Sequence, residues 1–192
     1  MPELPEVETV RRGLQYLIVG KTIKTILHDT ERSFPNDPAV VSQFAVGSKV
    51  YRVKRRAKVL LIELSTGYTL MTHLKMTGQL VYVGSERFGA GHPSDSLIGK
   101  LPDKSTRVTI TFDDNSKLFF NDQRKFGWMK LLPTGLVGEE PFMMKVGPEP
   151  LEPEFTDKVF ISRVRRRANT SIKAAILDQT VLAGVGNIYA DE

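Results

Sequence analysis

The feature that most restricts the fold of this chain is a series of short segments rich in alternating or β-branched apolar residues. Turns rich in Gly, Asn, Asp and Ser separate them, as at Ser65–Gly67 and Asp113–Asn115. Short strands at such close spacing are typical of a β-sandwich or a β-barrel. The predicted strands are Thr22–Leu27, Lys49–Val53, Val59–Leu64, Thr69–Leu74, Gln79–Val83, Arg107–Phe112, Lys117–Phe120 and Trp128–Leu132.

Helical patterns flank and interrupt these strands. Apolar residues recur at helical spacing over Leu4–Leu17, and Gly20 follows as a typical helix end. Pro2 fits the first position of this helix, where the N–H that proline lacks has no partner in any case. A short second helix is predicted over Ala39–Phe44. The stretch Ser85–Asp103 is rich in Gly, Pro and Ser, which predicts a mobile loop.

The last part of the chain reads as the start of a helical domain. Residues 134–154 have the Pro- and Gly-rich composition of a linker. Helices are predicted over Asp157–Arg167 and Ser171–Gln179, and Asn187 is predicted to be the N-cap of a third helix. That helix reaches Glu192 soon after it begins, so we expect a fragment cut inside this domain. The predicted fold class is α+β, with an N-terminal β-sandwich domain at 1–133, a linker at 134–154 and the start of a helical domain at 155–192.

Composition narrows the class of protein. The 192 residues include no cysteine, which excludes disulfides and thiolate metal sites within them. No apolar run approaches the length of a membrane span, and the acidic, amphipathic start is unlike a secretory or transit peptide. The formal net charge is +5, and many of the Lys and Arg side chains lie in clusters. Such clusters are typical either of a surface that binds nucleic acid or of a solvated face. One cluster is Arg52, Lys54, Arg55, Arg56 and Lys58, and the other is Arg163, Arg165, Arg166 and Arg167.

The N-terminal string MPELPEVETVRRGL can carry covalent chemistry as well as start a helix. If Met1 is removed, Pro2 has a free secondary amine, and α-amino groups titrate near neutrality without burial. Such an amine can attack an electrophilic carbon and form an iminium ion. The neighbouring carboxylates of Glu3 and Glu6 can transfer protons. The string therefore indicates a candidate nucleophile, and a structural helix start remains the alternative.

Further strings combine residue types that nucleic-acid chemistry uses. In RRAKVLL, Lys58 begins an apolar strand among like charges, which lower a lysine pKa, although a strand-edge lysine is the alternative. HLKMTG contains His73 and Met76, which in isolation are typical of structural residues. DQRKFG places Arg124 and Phe126 two positions apart at a strand end, so both point the same way. A guanidinium beside an apolar wedge suits minor-groove insertion, and a tight turn with a core Phe is the alternative.

Taken in order, these strings resemble the bacterial formamidopyrimidine-DNA glycosylase family, which excises oxidised purines. The resemblance runs from residue 1 to residue 192 and begins with PELPEVE. It continues through RRAKVLL, HLKMTG and DQRKFG to LAGVGNIYADE, which is similar to the family's helix–two-turn–helix signature. The start PELPEVETVRRGL is similar to the oxidised-purine branch. The resemblance implies a β-sandwich followed by an incomplete helix–two-turn–helix domain.

The resemblance also implies roles for individual residues. Pro2 is expected to attack C1′ of the damaged nucleotide, Glu3 to donate a proton as the deoxyribose opens, and Lys58 to contact phosphate and assist β-elimination. Glu6 is expected to support this site through hydrogen bonds. The expected DNA contacts are Met76, Arg124 and Phe126 in the gap left by the flipped base, and His73, Lys173, Asn187 and Arg167 on the backbone, with Glu192 in support.

The implied function is base-excision repair: a DNA glycosylase and apurinic/apyrimidinic-site lyase working by β,δ-elimination. The implied partner is double-stranded DNA containing oxidised purines, and no membrane partner is expected. The protein is expected to act as a monomer in the bacterial cytoplasm, associated with the nucleoid. Family members continue into a zinc ribbon, so no cofactor is expected in these residues and a structural zinc is expected in a missing C-terminal segment. Two alternatives stay open: an oxidised-pyrimidine glycosylase of the sister branch, and a non-catalytic nucleic-acid-binding fragment that retains Met1.

Overall fold

The computed structural model describes all 192 residues, Met1–Glu192. All the predicted strands are present with small shifts at their ends, and one further strand joins them. The strands are β1 (Ile23–His28), β2 (Val50–Arg56), β3 (Val59–Leu64), β4 (Tyr68–His73), β5 (Gly78–Val83), β6 (Arg87–Gly91), β7 (Thr106–Phe112), β8 (Lys117–Asp122) and β9 (Trp128–Pro133). The α-helices are α1 (Leu4–Ile18), α2 (Pro38–Phe44), α3 (Pro141–Lys145), α4 (Asp157–Arg165), α5 (Ile172–Leu177) and α6 (Asn187–Asp191).

Two antiparallel sheets build the N-terminal part. One has the strand order β1-β7-β8-β5-β6 and the other has the order β2-β3-β4-β9. Apolar side chains from both sheets, from α1, from α2 and from a few loop positions form one core of 24 buried residues. Helix α1 contributes Val7, Val10, Leu14 and Ile18, all 0% exposed. The α+β class with an N-terminal β-sandwich is therefore confirmed, and α1 is fixed on that core.

Two local predictions were wrong. Helix α1 begins at Leu4 with Glu3 as its N-cap, so Pro2 precedes the cap and does not occupy the first helical position. The helix starts there because the Glu6 carboxylate accepts the Glu3 backbone N–H at 2.8 Å. In the predicted loop Ser85–Asp103, β6 pairs with β5 along its length. Hydrogen bonding to the neighbouring strand and contact with α1 outweigh the glycine-rich local composition.

Residues 134–154 carry a 3₁₀ helix over Thr134–Glu139 and helix α3. Val137 is buried in a small second cluster with Val59, Leu61 and Met71. The helices α4, α5 and α6 follow. The chain between α3 and α4 also bonds to the turn after α5, because Gly147 N–H donates to Gln179 O at 2.7 Å. No helix has both the length and the apolar character needed to cross a membrane.

Candidate active site

The carboxylate of Glu3 lies against the amino end of helix α6. Its Oε2 accepts backbone N–H groups from Gly186 at 2.8 Å and Tyr189 at 3.3 Å. Its Oε1 accepts the N–H of Ile188 at 2.8 Å, and the residue is 1% exposed. The first N–H groups of a helix have no acceptor within the helix. One buried carboxylate satisfies three of them, and this contact joins the start of α1 to the end of the chain.

This contact corrects the predicted cap of α6. Gly186 is the N-cap, and Asn187 is the first helical residue, with an exposed side chain. The capping oxygens come from Glu3, which is far away in sequence, so no local side chain is needed. A Cβ atom on Gly186 would lie 2.2 Å from Glu3 Cδ, a distance that real Cβ contacts do not reach. Because three hydrogen bonds fix that carboxylate, the close approach of these two segments requires glycine.

Pro2 is buried beside this contact. The N–H of the following Leu4 donates to Gly184 O at 3.1 Å, which holds the N-terminal segment against the turn between α5 and α6. The nitrogen of Pro2 is bonded to Met1, whose side chain is 41% exposed. While that peptide bond is present the nitrogen is an amide. Removal of Met1 would convert it to a secondary amine next to Glu3.

Lys58 reaches the same place from the turn between β2 and β3. It is 5% exposed, and its Nζ donates to Val185 O at 2.9 Å. Ala57 before it has a φ of 52°, the left-handed conformation that lets the chain reverse tightly there. Burial lowers the pKa of the Lys58 ammonium below its usual value, and the negative charges of Glu3 and Glu6 oppose that shift. A pKa lowered in this way makes a lysine a better proton carrier near neutral pH.

Glu6 connects the two ends of the site. Its Oε2 accepts the Glu3 N–H at 2.8 Å, and its Oε1 accepts the Tyr189 hydroxyl at 3.2 Å. This hydrogen bond to Glu6 raises the pKa of Tyr189. The structure thus brings together the four residues predicted to be catalytic. Pro2 and Glu3 lie just before α1, Glu6 lies on α1 and Lys58 lies in the β2–β3 turn, and the contacts of Glu3, Glu6 and Lys58 meet at the start of α6.

Asp122 shapes a second group of predicted residues, in the loop between β8 and β9. It is 0% exposed. Its Oδ2 accepts Gly127 N–H at 2.6 Å and its Oδ1 accepts Arg124 N–H at 3.2 Å. The same Oδ1 accepts the Thr77 hydroxyl, which in turn accepts the Arg124 N–H at 3.1 Å. One buried carboxylate therefore fixes this loop and the Leu74–Gly78 turn against each other.

The side chains that this loop and the Leu74–Gly78 turn present are exposed. Phe126 is 44% exposed and Met76 is 40% exposed. The guanidinium carbon of Arg124 lies 4.9 Å from the centre of the Phe126 ring, so the two side chains stack. They belong to a loop that contains a left-handed Lys125 (φ 57°), whereas the sequence predicted a strand end. Phe126 is not a core residue, which removes that alternative.

His73 ends β4 and is 6% exposed. Its Nδ1 accepts Lys75 N–H at 3.1 Å, and its ring packs edge-on against Phe142 with centroids 5.1 Å apart. Burial first, and then the positive charges of Lys75 and Lys58, lower the pKa of His73 to about 3. The ring is therefore neutral at physiological pH, and because Nδ1 is an acceptor, Nε2 carries the proton and can donate it.

The remaining predicted DNA contacts lie on the helical part. Lys173 pairs with Asp191, and Arg167 pairs with Asp178. Asn187 and Glu192 are exposed. The structure groups Lys173 and Asn187 around α6, near the Glu3 contact, whereas Arg167 lies on another cleft of about 400 Å³, lined by Lys145, Arg163, Arg166, Arg167, Thr180 and Val181.

The basic cluster at 52–58 is largely neutralised within the molecule. Arg55 bonds to Glu149 at 3.0 Å and Arg56 bonds to the same carboxylate at 3.1 Å. Arg52 and Lys54 both pair with Glu63. These pairs favour a structural role for the four residues, and only Lys58 of this cluster enters the site. Local sequence could not reveal this, because the two carboxylates come from other segments.

Three structurally important residues were missed. Asp122 stood inside the quoted string DQRKFG without an assigned role. Glu149 accepts hydrogen bonds from the guanidinium groups of Arg55 and Arg56 and from the backbone N–H of Ala57. Gln179 bonds to the turn that carries Gly184 and Val185. The only sequence signal for the last was the glycine pair at 184 and 186. No group of three or more His, Cys, Asp or Glu side chains is placed to hold a metal ion.

Comparison with known families covers most of the chain. Residues 1–129 match the model for the formamidopyrimidine-DNA glycosylase N-terminal domain. Residues 146–192 match the model for the formamidopyrimidine-DNA glycosylase H2TH domain. The second match agrees with the helix–two-turn–helix signature found in the last residues of the sequence.

Curated relatives carry the same family name. The formamidopyrimidine-DNA glycosylase of Ligilactobacillus salivarius is 39% identical over 192 residues, which are 100% of this chain and 64% of that protein. The formamidopyrimidine-DNA glycosylase of Rhodopseudomonas palustris is 41% identical over 194 residues, covering 100% of this chain and 65% of that protein. The chain thus spans about two thirds of the length of these relatives.

Solved structures share the fold. Lactococcus lactis Fpg in complex with DNA that contains an abasic site matches with a TM-score of 0.82 at 33% identity, over 99% of this chain and 65% of that one. The wild-type protein of the same organism with N7-benzyl-Fapy-dG-containing DNA matches with a TM-score of 0.83 at 33% identity, over 100% and 65%. Since both domain models and the fold agree along its length, the chain belongs to the formamidopyrimidine-DNA glycosylase family.

Proposed function

We propose that the protein is a DNA glycosylase and abasic-site lyase of base-excision repair, acting on oxidised purines in duplex DNA. The observation that carries the proposal is the meeting of Pro2, Glu3 and Lys58 at the amino end of α6. A latent secondary amine, a buried carboxylate and a buried ammonium are the groups that catalysis through a Schiff base requires. Family membership and the DNA complexes of the Lactococcus lactis protein support it.

The chemistry follows from the amine. The Pro2 nitrogen attacks C1′, the bond from C1′ to the base breaks, and the base leaves with a proton. Glu3 donates a proton to the ring oxygen as the deoxyribose opens, and the product is a cationic iminium. The cation acidifies the C2′ hydrogens, so loss of one of them expels the 3′ phosphate and leaves a C2′=C3′ double bond conjugated with the iminium. That conjugation acidifies the C4′ hydrogen, and its loss expels the 5′ phosphate in a second elimination. Lys58 contacts a phosphate and assists these eliminations.

The exposed side chains of the β8–β9 loop and of the Leu74–Gly78 turn suit base extrusion. A base in duplex DNA is out of reach of the amine until it is flipped out, which costs a few kcal/mol. Phe126, Arg124 and Met76 offset that cost by filling the vacated space, with Arg124 facing the orphaned partner base. The buried carboxylate of Asp122 holds this loop in place, so little ordering is needed when DNA binds.

Backbone phosphates are proposed to bind at His73, Lys173, Asn187 and Arg167, with Glu192 supporting this surface. Lys173 and Arg167 would exchange Asp191 and Asp178 for phosphate. Each phosphate neutralised steepens the dependence of log K on log salt by about 0.9. We also propose that the protein acts as a monomer at the bacterial nucleoid. Its domains are proposed to be 1–133 and 155–192, joined by the linker 134–154. A structural zinc is proposed in the part of the relatives' length that this chain does not cover.

The proposal is tested by borohydride trapping with the complete protein. Duplexes carry 8-oxoguanine or a formamidopyrimidine, and a parallel series carries oxidised pyrimidines, because Lactococcus lactis Fpg has also been crystallised with oxidised-pyrimidine-containing DNA. We expect a covalent adduct that forms faster on the purine lesions. Pro2→Gly should reduce it strongly, and Pro5→Gly, which changes a proline of the same helix start, should not. Preference for pyrimidine lesions would indicate the sister-branch activity, and binding without any adduct would indicate a non-catalytic DNA-binding protein.

A further inference from the structure

We propose that Gln179 is a positioning residue for this site, holding the turn between α5 and α6 against Lys58 and Glu3. The proposal rests on the lyase function proposed above. Gln179 lies one residue after Asp178, the C-cap of α5, and is only partly exposed. It touches none of the expected reacting atoms, so its effect is transmitted through the backbone of residues 184–186.

The side-chain amide of Gln179 bonds to both sides of this turn. Its Nε2 donates to Val185 O at 2.7 Å and to Leu177 O at 3.0 Å. Its Oε1 accepts Gly184 N–H at 3.0 Å. Both amide protons and the oxygen are thus committed to backbone groups, so the amide orientation is fixed by its partners. The backbone oxygen of Gln179 accepts Gly147 N–H, which anchors the residue itself.

The groups that Gln179 holds are those that contact the site. Val185 O accepts two hydrogen bonds, one from Gln179 and one from Lys58 Nζ at 2.9 Å. The next N–H, that of Gly186, donates to Glu3 at 2.8 Å. Gly184, with a φ of 92°, gives the turn little stiffness of its own. Loss of the Gln179 amide would therefore free the carbonyl that fixes the ammonium and the N–H that fixes the carboxylate.

This geometry has an electrostatic consequence for Lys58. The groups facing its ammonium are Glu3 at the N-cap of α1, Glu6 on α1, His73 on β4 and the carbonyl of Val185. A carbonyl that accepts from the charged form stabilises that form. Displacing Val185 O should therefore lower the Lys58 pKa further, and the ammonium form should be lost at a lower pH. The alkaline limb of a lyase reaction that needs the ammonium should move in the same direction.

The test uses the complete protein on DNA with a pre-formed abasic site, in single turnovers with enzyme in excess. Gln179→Leu removes all three hydrogen bonds. Gln43→Leu, the same chemical change at an exposed residue of α2 whose side chain has no hydrogen-bond partner, is the matched control. We expect Gln179→Leu to cleave roughly 10- to 100-fold more slowly, the range that misplacement by about 1 Å produces. Its alkaline limb should move to lower pH, and Gln43→Leu should match the wild type in both respects.

A second variant separates positioning from loss of fold. Gln179→Glu keeps the acceptor for Gly184, but its carboxylate faces two carbonyl oxygens. Protonation of the introduced carboxyl restores a donor toward Val185 O, so its rate relative to wild type should recover as the pH falls. Folded fraction is measured by circular dichroism at each pH, and a rate deficit that merely follows the unfolded fraction would overturn the proposal. So would a Gln179→Leu protein with the wild-type rate and pH profile.

A readout without activity keeps the two proposals distinct. In ¹³Cε-lysine-labelled protein, with the Lys58 resonance assigned through Lys58→Arg, an NMR titration reports the ammonium directly. Gln179→Leu should lower the measured Lys58 pKa and Gln43→Leu should leave it unchanged. Wild-type protein without any trapped adduct would reject the proposed function. An unchanged Lys58 titration in Gln179→Leu would reject the positioning role whatever the activity.

Discussion

Replacing Glu3 by Gln is a direct perturbation of the contact that joins α1 to α6. The two side chains have nearly the same size and shape, but the carboxylate offers two acceptor oxygens where the amide offers one. Glu3 accepts Gly186 N–H and Tyr189 N–H through Oε2, and Ile188 N–H through Oε1. In either orientation, the amide NH₂ of Gln must face at least one backbone N–H at about the former hydrogen-bond distance.

The magnitude follows from the better of the two orientations. With the amide oxygen in the place of Oε2, two bonds survive and the N–H of Ile188 is left unpaired. An unsatisfied buried donor costs about 1–3 kcal/mol. Loss of the negative charge at a helix N-terminus adds roughly 0.3–1 kcal/mol. We therefore expect Glu3→Gln to lower the free energy of unfolding by about 1.3–4 kcal/mol.

The measurement is urea-induced unfolding of the complete protein at pH 7, followed by circular dichroism. The matched control is Glu31→Gln, the same chemical change at an exposed residue without a hydrogen-bond partner for its side chain. The control should stay within about 0.5 kcal/mol of the wild type. If Glu3→Gln also stays within that range, the carboxylate does not hold the two helices together and the reasoning is refuted.

Three further predictions concern the β8–β9 loop and His73. Phe126→Ala should slow excision of a paired lesion more than cleavage of a pre-formed abasic site, since only the former requires extrusion; equal losses on both substrates would argue against a wedge. Gly127→Ala should destabilise the protein by about 1–3 kcal/mol in urea, because a Cβ there would lie 2.8 Å from the Phe120 ring; wild-type stability would mean that the loop can yield. His73, with its pKa lowered to about 3, stays neutral when folded but binds a proton when unfolded below about pH 6.5. Its contribution to stability should therefore fall by about 1.4 kcal/mol per pH unit between pH 6 and 4 relative to His73→Gln, and parallel stability curves for the two proteins would contradict the neutral ring.

The sequence predicted those parts of the fold that depend on local pattern. Apolar periodicity located helix α1 and the predicted strands, because each of those elements buries its own apolar face. The glycine-rich strand β6 was missed because its pairing with β5 is decided between segments. The same reason explains the wrong cap of α6, whose capping oxygens belong to Glu3, 183 positions away from Gly186.

The sequence allowed a prediction of which residues form the candidate site, but not of the contacts that hold them in place. Pro2, Glu3, Glu6 and Lys58 were chosen for their chemistry and for the family resemblance, and the fold brings them together. The pairing of Arg55 and Arg56 with Glu149 was not predictable, because charge clusters read along the chain say nothing about distant carboxylates. The Gln179 amide was invisible for a similar reason, since all its side-chain partners are backbone atoms.

The central claim is that the Pro2 nitrogen becomes the nucleophile once Met1 is removed. The most direct test is to reduce the complex of the complete protein and 8-oxoguanine duplex with borohydride, digest it, and map the DNA adduct by mass spectrometry. The account predicts an N-terminal peptide that begins at Pro2 and carries the sugar remnant on its amine. An adduct on a lysine such as Lys58, or an active protein that retains Met1, would contradict it.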